Sequence, residues 1–225
     1  QPFFAELHTF CAVDLSAFYF DVRKDALYCG RTDSAERRAA RTVLDTLFNH
    51  LTAWLAPALC FTAEEAWLSR NPDTAAENSV HLRGFPDVPA DWHDETLAAK
   101  WSTVRNLRRA VTGALEVARA NKEIGASLQA HPQVFANEDV RASIDGIDPA
   151  ELCITSAFTF VDGDAPDTAH RHEDIADIAI VVEKASGEKC DRCWKILDEV
   201  GSDAEHPSVC NRCADAVRHA PPAAA

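Results

Sequence analysis

The stretch DETLAAKWSTVRNLRRAVTGALEVARAN, residues 94–121, decides how the first half of the chain folds. Trp101, Val104, Leu107, Val111, Ala114, Leu115 and Ala118 recur at helical spacing and line one face. Within residues 100–122, Lys100, Arg105, Arg108, Arg109, Arg119 and Lys122 are opposed only by Glu116, and the arginines lie off the apolar stripe. One long helix is expected here, greasy on one side and basic on the other.

Working outward toward the N-terminus, Ser34 to about Ala56 carries Ala40, Val43, Leu44, Leu47, Phe48, Leu51, Trp54 and Leu55 as a wide apolar stripe. Pro57 should end or kink this helix, because proline lacks the amide donor. Thr62-Ala-Glu-Glu65 has the spacing of a capping box and predicts the start of another helix, which stops at Asn71-Pro72. Residues 71–93 read as a long loop rich in Pro, Asp and Asn. Phe4, Leu7, Cys11, Leu15, Phe18 and Val22 give residues 3–22 a helical face, after which Asp25–Gly30 should break into a loop. Residues 1–121 are therefore expected as an up-and-down helical bundle.

Outward in the other direction, the period changes after Gly125. Ser127–His131, Leu152–Ser156, Phe158–Val161 and Asp177–Glu183 read as short strands, and Asn137 as the cap of a short helix through Ile144. Asp162–Asp174 is an acidic loop. Residues 122–187 are thus expected as a small α+β unit, 188–216 as a zinc finger and 217–225 as a disordered tail. The fold class that results is a mainly α helical bundle, a small α+β unit and a four-cysteine zinc ribbon.

Cys190, Cys193, Cys210 and Cys213 form C-x2-C-x16-C-x2-C. Each C-x2-C turn points two sulfurs at one place, and two such turns close a tetrahedral site with no position left for water. The expected ion is one structural Zn²⁺, and it supplies much of the folding free energy of so small a unit, roughly 10 kcal/mol or more. A redox dithiol needs only one such pair on a βαβ pattern that is absent; an iron–sulfur cluster would also take four thiolates. Cys11, Cys29, Cys60 and Cys153 stand singly among apolar neighbours and read as buried thiols. Cysteines arranged for metal rather than for disulfides point to a reducing compartment, the cytoplasm.

Composition bounds the function. The chain has 225 residues, 47% apolar and 26% charged, which excludes wholesale disorder. No apolar run approaches the roughly 18 residues of a membrane span, and Gln1 does not open a signal peptide. The sequence has no Met, and reads as a piece of a longer polypeptide. Its net charge is −14, against the basic balance usual for a nucleic-acid binder. The acid is unevenly placed, however: residues 123–187 hold 13 acidic against 3 basic side chains, beside the basic helix. On that helix a face that follows phosphates competes with a merely solvated one, and for the smaller patch Arg37, Arg38 and Arg41 the solvated reading is preferred. Trp54, Trp67 and Trp101 are expected in the core, and Trp194 over the knuckle, with base stacking as the alternative. No phosphate-cradling glycine loop, G-x-S-x-G elbow or H-E-x-x-H motif occurs, so the residues read as a binding module.

Several segments carry a family resemblance. Asp14-Leu-Ser-Ala-Phe-Tyr-Phe-Asp-Val-Arg-Lys-Asp25 with Leu27-Tyr28, Leu55-Ala-Pro57 and Phe61-Thr-Ala-Glu-Glu-Ala-Trp67 resemble the anticodon-binding domain of bacterial isoleucyl-tRNA synthetases. Leu115-Glu116, Ala118-Arg119, Lys122, Ile124-Gly125 and Ser127-Leu128 are similar to that family's junction beyond the bundle. Lys189-Cys-Asp-Arg-Cys-Trp-Lys195 and Cys210-Asn-Arg-Cys213 resemble its C-terminal zinc finger. Ala26, Thr112 and Gly113 depart from the more basic or polar residues common there. The resemblance implies a bundle of the anticodon-binding type and a parent that attaches isoleucine to tRNA(Ile) with ATP, the ATP site lying in a catalytic domain that these residues do not include. It implies the anticodon stem-loop of tRNA(Ile) and the parent's other domains as partners; no membrane partner is expected from the apolar runs, and a monomer is expected. It places tRNA contacts near Arg108, Arg119 and Lys122, and around the knuckle at Arg192, Trp194, Lys195 and Arg212; Arg105 and Arg109, on the same basic helix, complete the candidate tRNA-binding set. The chain alone is expected neither to activate isoleucine nor to charge tRNA. Two other readings are a zinc-stapled protein-interaction scaffold and a DNA glycosylase of the formamidopyrimidine type. The latter shares a four-cysteine finger but needs Glu after its N-terminal Pro, where this chain has Phe3.

Overall fold

In the computed structural model, which describes residues 2–72 and 77–220, the chain divides into two compact units, 1–32 with 95–225 and 33–94. The first unit opens with a continuous helical run: α1 (Pro2–Thr9), a π-helical stretch (Phe10–Phe20) and α2 (Asp21–Cys29). Of the stripe expected over 3–22, Leu7 and Leu15 are buried, whereas Phe4 is exposed. The loop expected at Asp25–Gly30 is helical as far as Cys29. Its last carbonyls are taken up by a distant side chain: Arg192 donates to the backbone oxygens of Tyr28 and Cys29. Helix ends need such partners, and this one comes from more than 160 residues away, where local sequence cannot show it.

The second unit holds α3 (Ala35–Leu55) and α4 (Cys60–Arg70), followed by single 3-10 turns at Val80–Leu82 and Ala90–Trp92. Ser34 caps α3 by accepting from the Arg37 amide at 3.2 Å. The capping box at Thr62–Glu65 does not form. The turn after Pro57 already feeds the next helix, with the Leu59 carbonyl accepting from Ala63, so Thr62 lies inside the first turn. Glu64 instead binds the loop, accepting from Ser79 Oγ and the Val80 amide at 3.0 and 2.8 Å. Ala56, Ala63, Trp67 and Val80 form this unit's core. Trp67 stacks on Phe48, donates its indole N–H to the Asn78 carbonyl at 2.6 Å and lies under the Arg83 guanidinium.

Back in the first unit, the amphipathic basic stretch forms α5 (Glu95–Ala120). Val104, Leu107, Ala110 and Val111 are wholly buried on it. They pack on a three-stranded sheet of β1 (Ala130–Ala136), β2 (Thr159–Phe160) and β3 (Ile178–Lys184), in the order β2-β1-β3. β1 runs antiparallel to β3, with Ala130 opposite Lys184 and Ala136 opposite Ile178, and parallel to β2. A proline in a central strand is unusual. The Ala130 and Val134 carbonyls accept from Ser156 and Val161, so even positions of β1 point away from β3. Pro132 points that way too, where β2 pairs only from Gln133 onward, and its missing N–H leaves no acceptor unmet.

Asn137 caps α6 (Glu138–Ser143) as expected, and Asp148 caps α7 (Pro149–Cys153). The strand expected at Leu152–Ser156 is instead the end of α7, closed by Ile154 in the left-handed region (φ 55°). Ser127–Gln129 is a 3-10 turn, and β1 begins at Ala130. β4 (Glu188–Lys189) and β5 (Ile196–Leu197) make a hairpin, and α8 (Asn211–Arg218) takes in Val217 and Arg218, expected as tail; residues 221–225 lie outside the described ones. Of the single cysteines, Cys29 and Cys153 are buried, Cys11 is half-buried and Cys60 is exposed, the last because it sits at the start of α4 on the solvent side. Burial pushes the Cys153 thiol up to about 12, which makes it inert at neutral pH. No helix among the described residues is long and apolar enough to cross a membrane.

Candidate metal centre and nucleic-acid interface

The hairpin and α8 bring the four paired cysteines together. Cys190 follows β4, Cys193 precedes β5, Cys210 is the N-cap of α8 and Cys213 lies in its first turn. Gly187 (φ +102°) permits the hairpin's approach: a Cβ there would stand 2.2 Å from the Leu197 carbonyl carbon. The four sulfurs lie within 4.8 Å of one another, and all four residues are buried. The edge between the Cys193 and Cys210 sulfurs is 3.8 Å, matching the about 3.8 Å edge of a tetrahedron with Zn–S bonds of about 2.3 Å. Cys193 accepts from the Cys213 thiol, which holds Cys193 well below and Cys213 well above the ordinary thiol range. The centre is a closed structural zinc site with four cysteine ligands.

The knuckle is clamped to α2. Arg212 donates to both carboxylate oxygens of Asp25, at 2.8 Å to Oδ1. Burial alone would raise the Asp25 carboxyl, but the Arg212 hydrogen bonds and charge, with Lys195 nearby, hold it below its ordinary value. Arg31 pairs with Asp215 at 3.2 Å. Cys29 packs beside the sulfur cluster, and its Sγ lies 3.5 Å from the Arg192 carbonyl.

The expected tRNA-contact residues separate into two groups. Arg108 was expected to point outward from α5; it turns inward. Its guanidinium donates to the Leu152 carbonyl and to Asp21, and its side chain is only 13% exposed. The carbonyl of Leu152 is the physical reason, since a helix end buried beside α5 needs a donor. Arg105 pairs with Asp14 and lies over the Phe18 ring. Arg192 and Arg212 are spent on α2. Arg109 reaches Asp174 at 3.4 Å and Arg119 reaches Glu116 on its own helix, both with exposed side chains. Lys122 is exposed in a left-handed turn (φ 62°) and makes no ion pair among the described residues.

Trp194 does not pack over the knuckle. Its backbone is left-handed (φ 66°), held by a 2.9 Å hydrogen bond from its amide to the Cys190 carbonyl, and its ring stands 61% exposed with the Lys189 ammonium 5.5 Å from its centroid. With Tyr28, Cys29, Ile154, Arg192 and Lys195 it walls a cleft of about 440 Å³. Tyr28, 76% exposed, was not among the expected site residues. Its trace in the sequence is its place at the end of the Asp14–Tyr28 segment that carries the resemblance.

Two families match the chain. "Anticodon-binding domain of tRNA ligase" matches residues 2–134, and "Zinc finger found in FPG and IleRS" matches residues 187–216. The isoleucine–tRNA ligase of Agrobacterium fabrum is 50% identical over 210 residues, which is 93% of this chain and 21% of that protein. Those of Brucella abortus and Bradyrhizobium diazoefficiens are each 49% identical, over 93% and 95% of this chain. The chain thus spans about a fifth of the length of the relatives it matches.

Proposed function

Because the chain belongs to the family of anticodon-binding domains of tRNA ligases, we propose that it is the anticodon-recognition part of an isoleucine–tRNA ligase, acting in the cytoplasm on the anticodon stem-loop of tRNA(Ile). The reaction of the whole enzyme on this reading is ATP-dependent attachment of isoleucine to that tRNA, carried out by domains beyond these residues. The chain contributes recognition, and zinc contributes rigidity to the surface that recognises.

The observation that carries the reading is the exposed Trp194 beside the zinc-stapled turn. An aromatic ring held clear of its own core, on a backbone fixed by two metal ligands, is prepared to stack on an unpaired base without further ordering cost. Lys195 and Tyr28 line the same cleft. Arg109, Arg119 and Lys122 would follow the backbone, each exposed and none held by more than one carboxylate. Arg105, Arg108, Arg192 and Arg212 support the surface from beneath through their internal bonds. The test is tRNA(Ile) binding by Trp194→Ala and Trp194→Phe chains. The expected outcome is a loss of about 1–3 kcal/mol for Ala and much less for Phe. Equal affinity for Trp194→Ala and the parent chain would end this reading of the cleft.

A further inference from the structure

On the arginine patch of α3, which the sequence suggests is a solvated face, two side chains stand without partners among the described residues. Arg38 and Arg41 are three residues apart and both exposed. Among the described residues they are the two arginines whose guanidinium makes no hydrogen bond, ion pair or ring contact; every other arginine has a partner. That is not for lack of acid. Asp and Glu outnumber Lys and Arg by 36 to 22 in this chain, so a surface arginine ordinarily finds a carboxylate.

The two side chains border an open groove of about 720 Å³ between α3 and α4, with Arg70 from α4 on its far wall. The one carboxylate in the groove, Asp45, is already taken: it accepts from Arg70 Nη2 at 2.7 Å and lies 3.5 Å from the Asn49 amide. The hydroxyls of Thr42 and Thr46 donate to helix carbonyls one turn back and have no proton left for a ligand. The groove therefore offers three guanidinium groups, two of them unused, and no free acid. Side chains at this spacing are neighbours on a helix, so their like charges repel until an anion bridges them.

We propose that this groove is a second RNA contact, in which Arg38 and Arg41 grip backbone phosphates of a bound tRNA, with Arg70 held in reserve by Asp45. The planar guanidinium suits bidentate contact with phosphate oxygens. Such contacts position the RNA and read no sequence. The proposal rests on the reading of the chain as a tRNA-binding part, and concerns a surface separate from the Trp194 cleft.

The experiment uses the full zinc-loaded chain and a tRNA(Ile) transcript. The Nε–Hε signals of Arg38 and Arg41 and the indole N–H of Trp194 are followed by NMR during titration. Binding is also measured from 50 to 200 mM salt for the parent chain and for Arg38→Gln/Arg41→Gln. The expected result is movement of both arginine signals and, in the double variant, a salt slope shallower by about 1.4–1.8 with affinity down roughly tenfold or more. Both side chains are exposed, so the melting temperature should not move. A shift at Trp194 with neither arginine moving, and an unchanged slope, would overturn the groove while leaving the tRNA reading intact. Movement at the arginines without Trp194 would support the groove and refute the cleft. No movement at any of the three overturns both, and arginine shifts with poly-glutamate but not with tRNA would overturn the groove in favour of an acidic protein partner.

Discussion

Two helices of this chain carry arginine-rich faces, α5 and α3, and the structure uses them in opposite ways. On α5 the guanidinium groups of Arg105 and Arg108 are absorbed by Asp14, Asp21 and the Leu152 carbonyl, joining that helix to the first helical run and to α7. On α3 Arg38 and Arg41 have nothing to hold among the described residues. Counted by sequence, α5 is the stronger face for a polyanion; counted by unspent guanidinium groups among the described residues, α3 has two and α5 none. A basic stripe becomes a binding surface only after the internal acceptors have taken their share, because a buried carbonyl or carboxylate left unmet costs more than an exposed cation gains.

The contrast between spent and unspent arginines meets its severest challenge at the zinc centre, which fixes Arg192 and Arg212 as structural rather than free. Chelation should remove roughly 10 kcal/mol or more of folding free energy from the knuckle. Hydrogen exchange should then show residues 188–216 unprotected, with the Tyr28 and Cys29 carbonyls losing their Arg192 partner. Protection that survives chelation would show that packing alone holds the knuckle.

A smaller effect separates the two arginine faces directly. Arg108→Ala should destabilise the chain by about 1–3 kcal/mol, since it strands the buried Leu152 carbonyl. Arg38→Ala should change stability by less than about 0.5 kcal/mol. Urea unfolding of the two variants side by side checks both, and equal losses would erase the distinction.

Smaller still is the clamp between Asp25 and Arg212. Its carboxyl titrates below the usual 3.8 when folded. The group therefore contributes stability fully above that value, and the contribution fades as pH falls through the lowered folded one. With Arg212→Ala only Lys195 and the Cys29 thiol would still oppose the burial that disfavours ionisation, so the Asp25 carboxyl should titrate higher than in the unaltered chain, followed by carboxyl-carbon NMR. The cost at pH 7 is about 1 kcal/mol, modest because the Arg212 side chain is 44% exposed.

The least effect is expected from Arg109→Ala, whose 3.4 Å pair with Asp174 is exposed on both sides. Stability should change by less than about 0.5 kcal/mol, while the salt slope of tRNA binding should fall by about 0.7–0.9. An unchanged slope would assign Arg109 to solvent.

Much of this was legible in the residues. The apolar steps from Trp101 to Ala118, the Ser34 start of α3 and the Asn137 cap each depend on neighbours within a turn or two, and α3, α5 and α6 lie where they were expected. The metal ligands were equally clear, because tetrahedral thiolate coordination tolerates few spacings. Errors arose where one structural signal overruled another. The β-rich string Leu152–Ser156 ends a helix because Asp148 caps α7 and Ile154 turns it left-handed. The Thr62–Glu65 box failed because the turn after Pro57 starts α4 at Cys60, which leaves Thr62 inside the helix.

What the amino-acid order determined by itself, then, was the set of helices, the zinc ligands and the placement of charge along the chain, all governed by short-range periodicity and coordination geometry. Only the tertiary structure decided which charges remain available. The hydrogen-bond partners Arg192 with Cys29 and Arg108 with Asp21 are separated by 163 and 87 residues. Whether a guanidinium is spent on its own fold or left for a ligand depends on which acceptors the packed chain brings within about 3 Å of it.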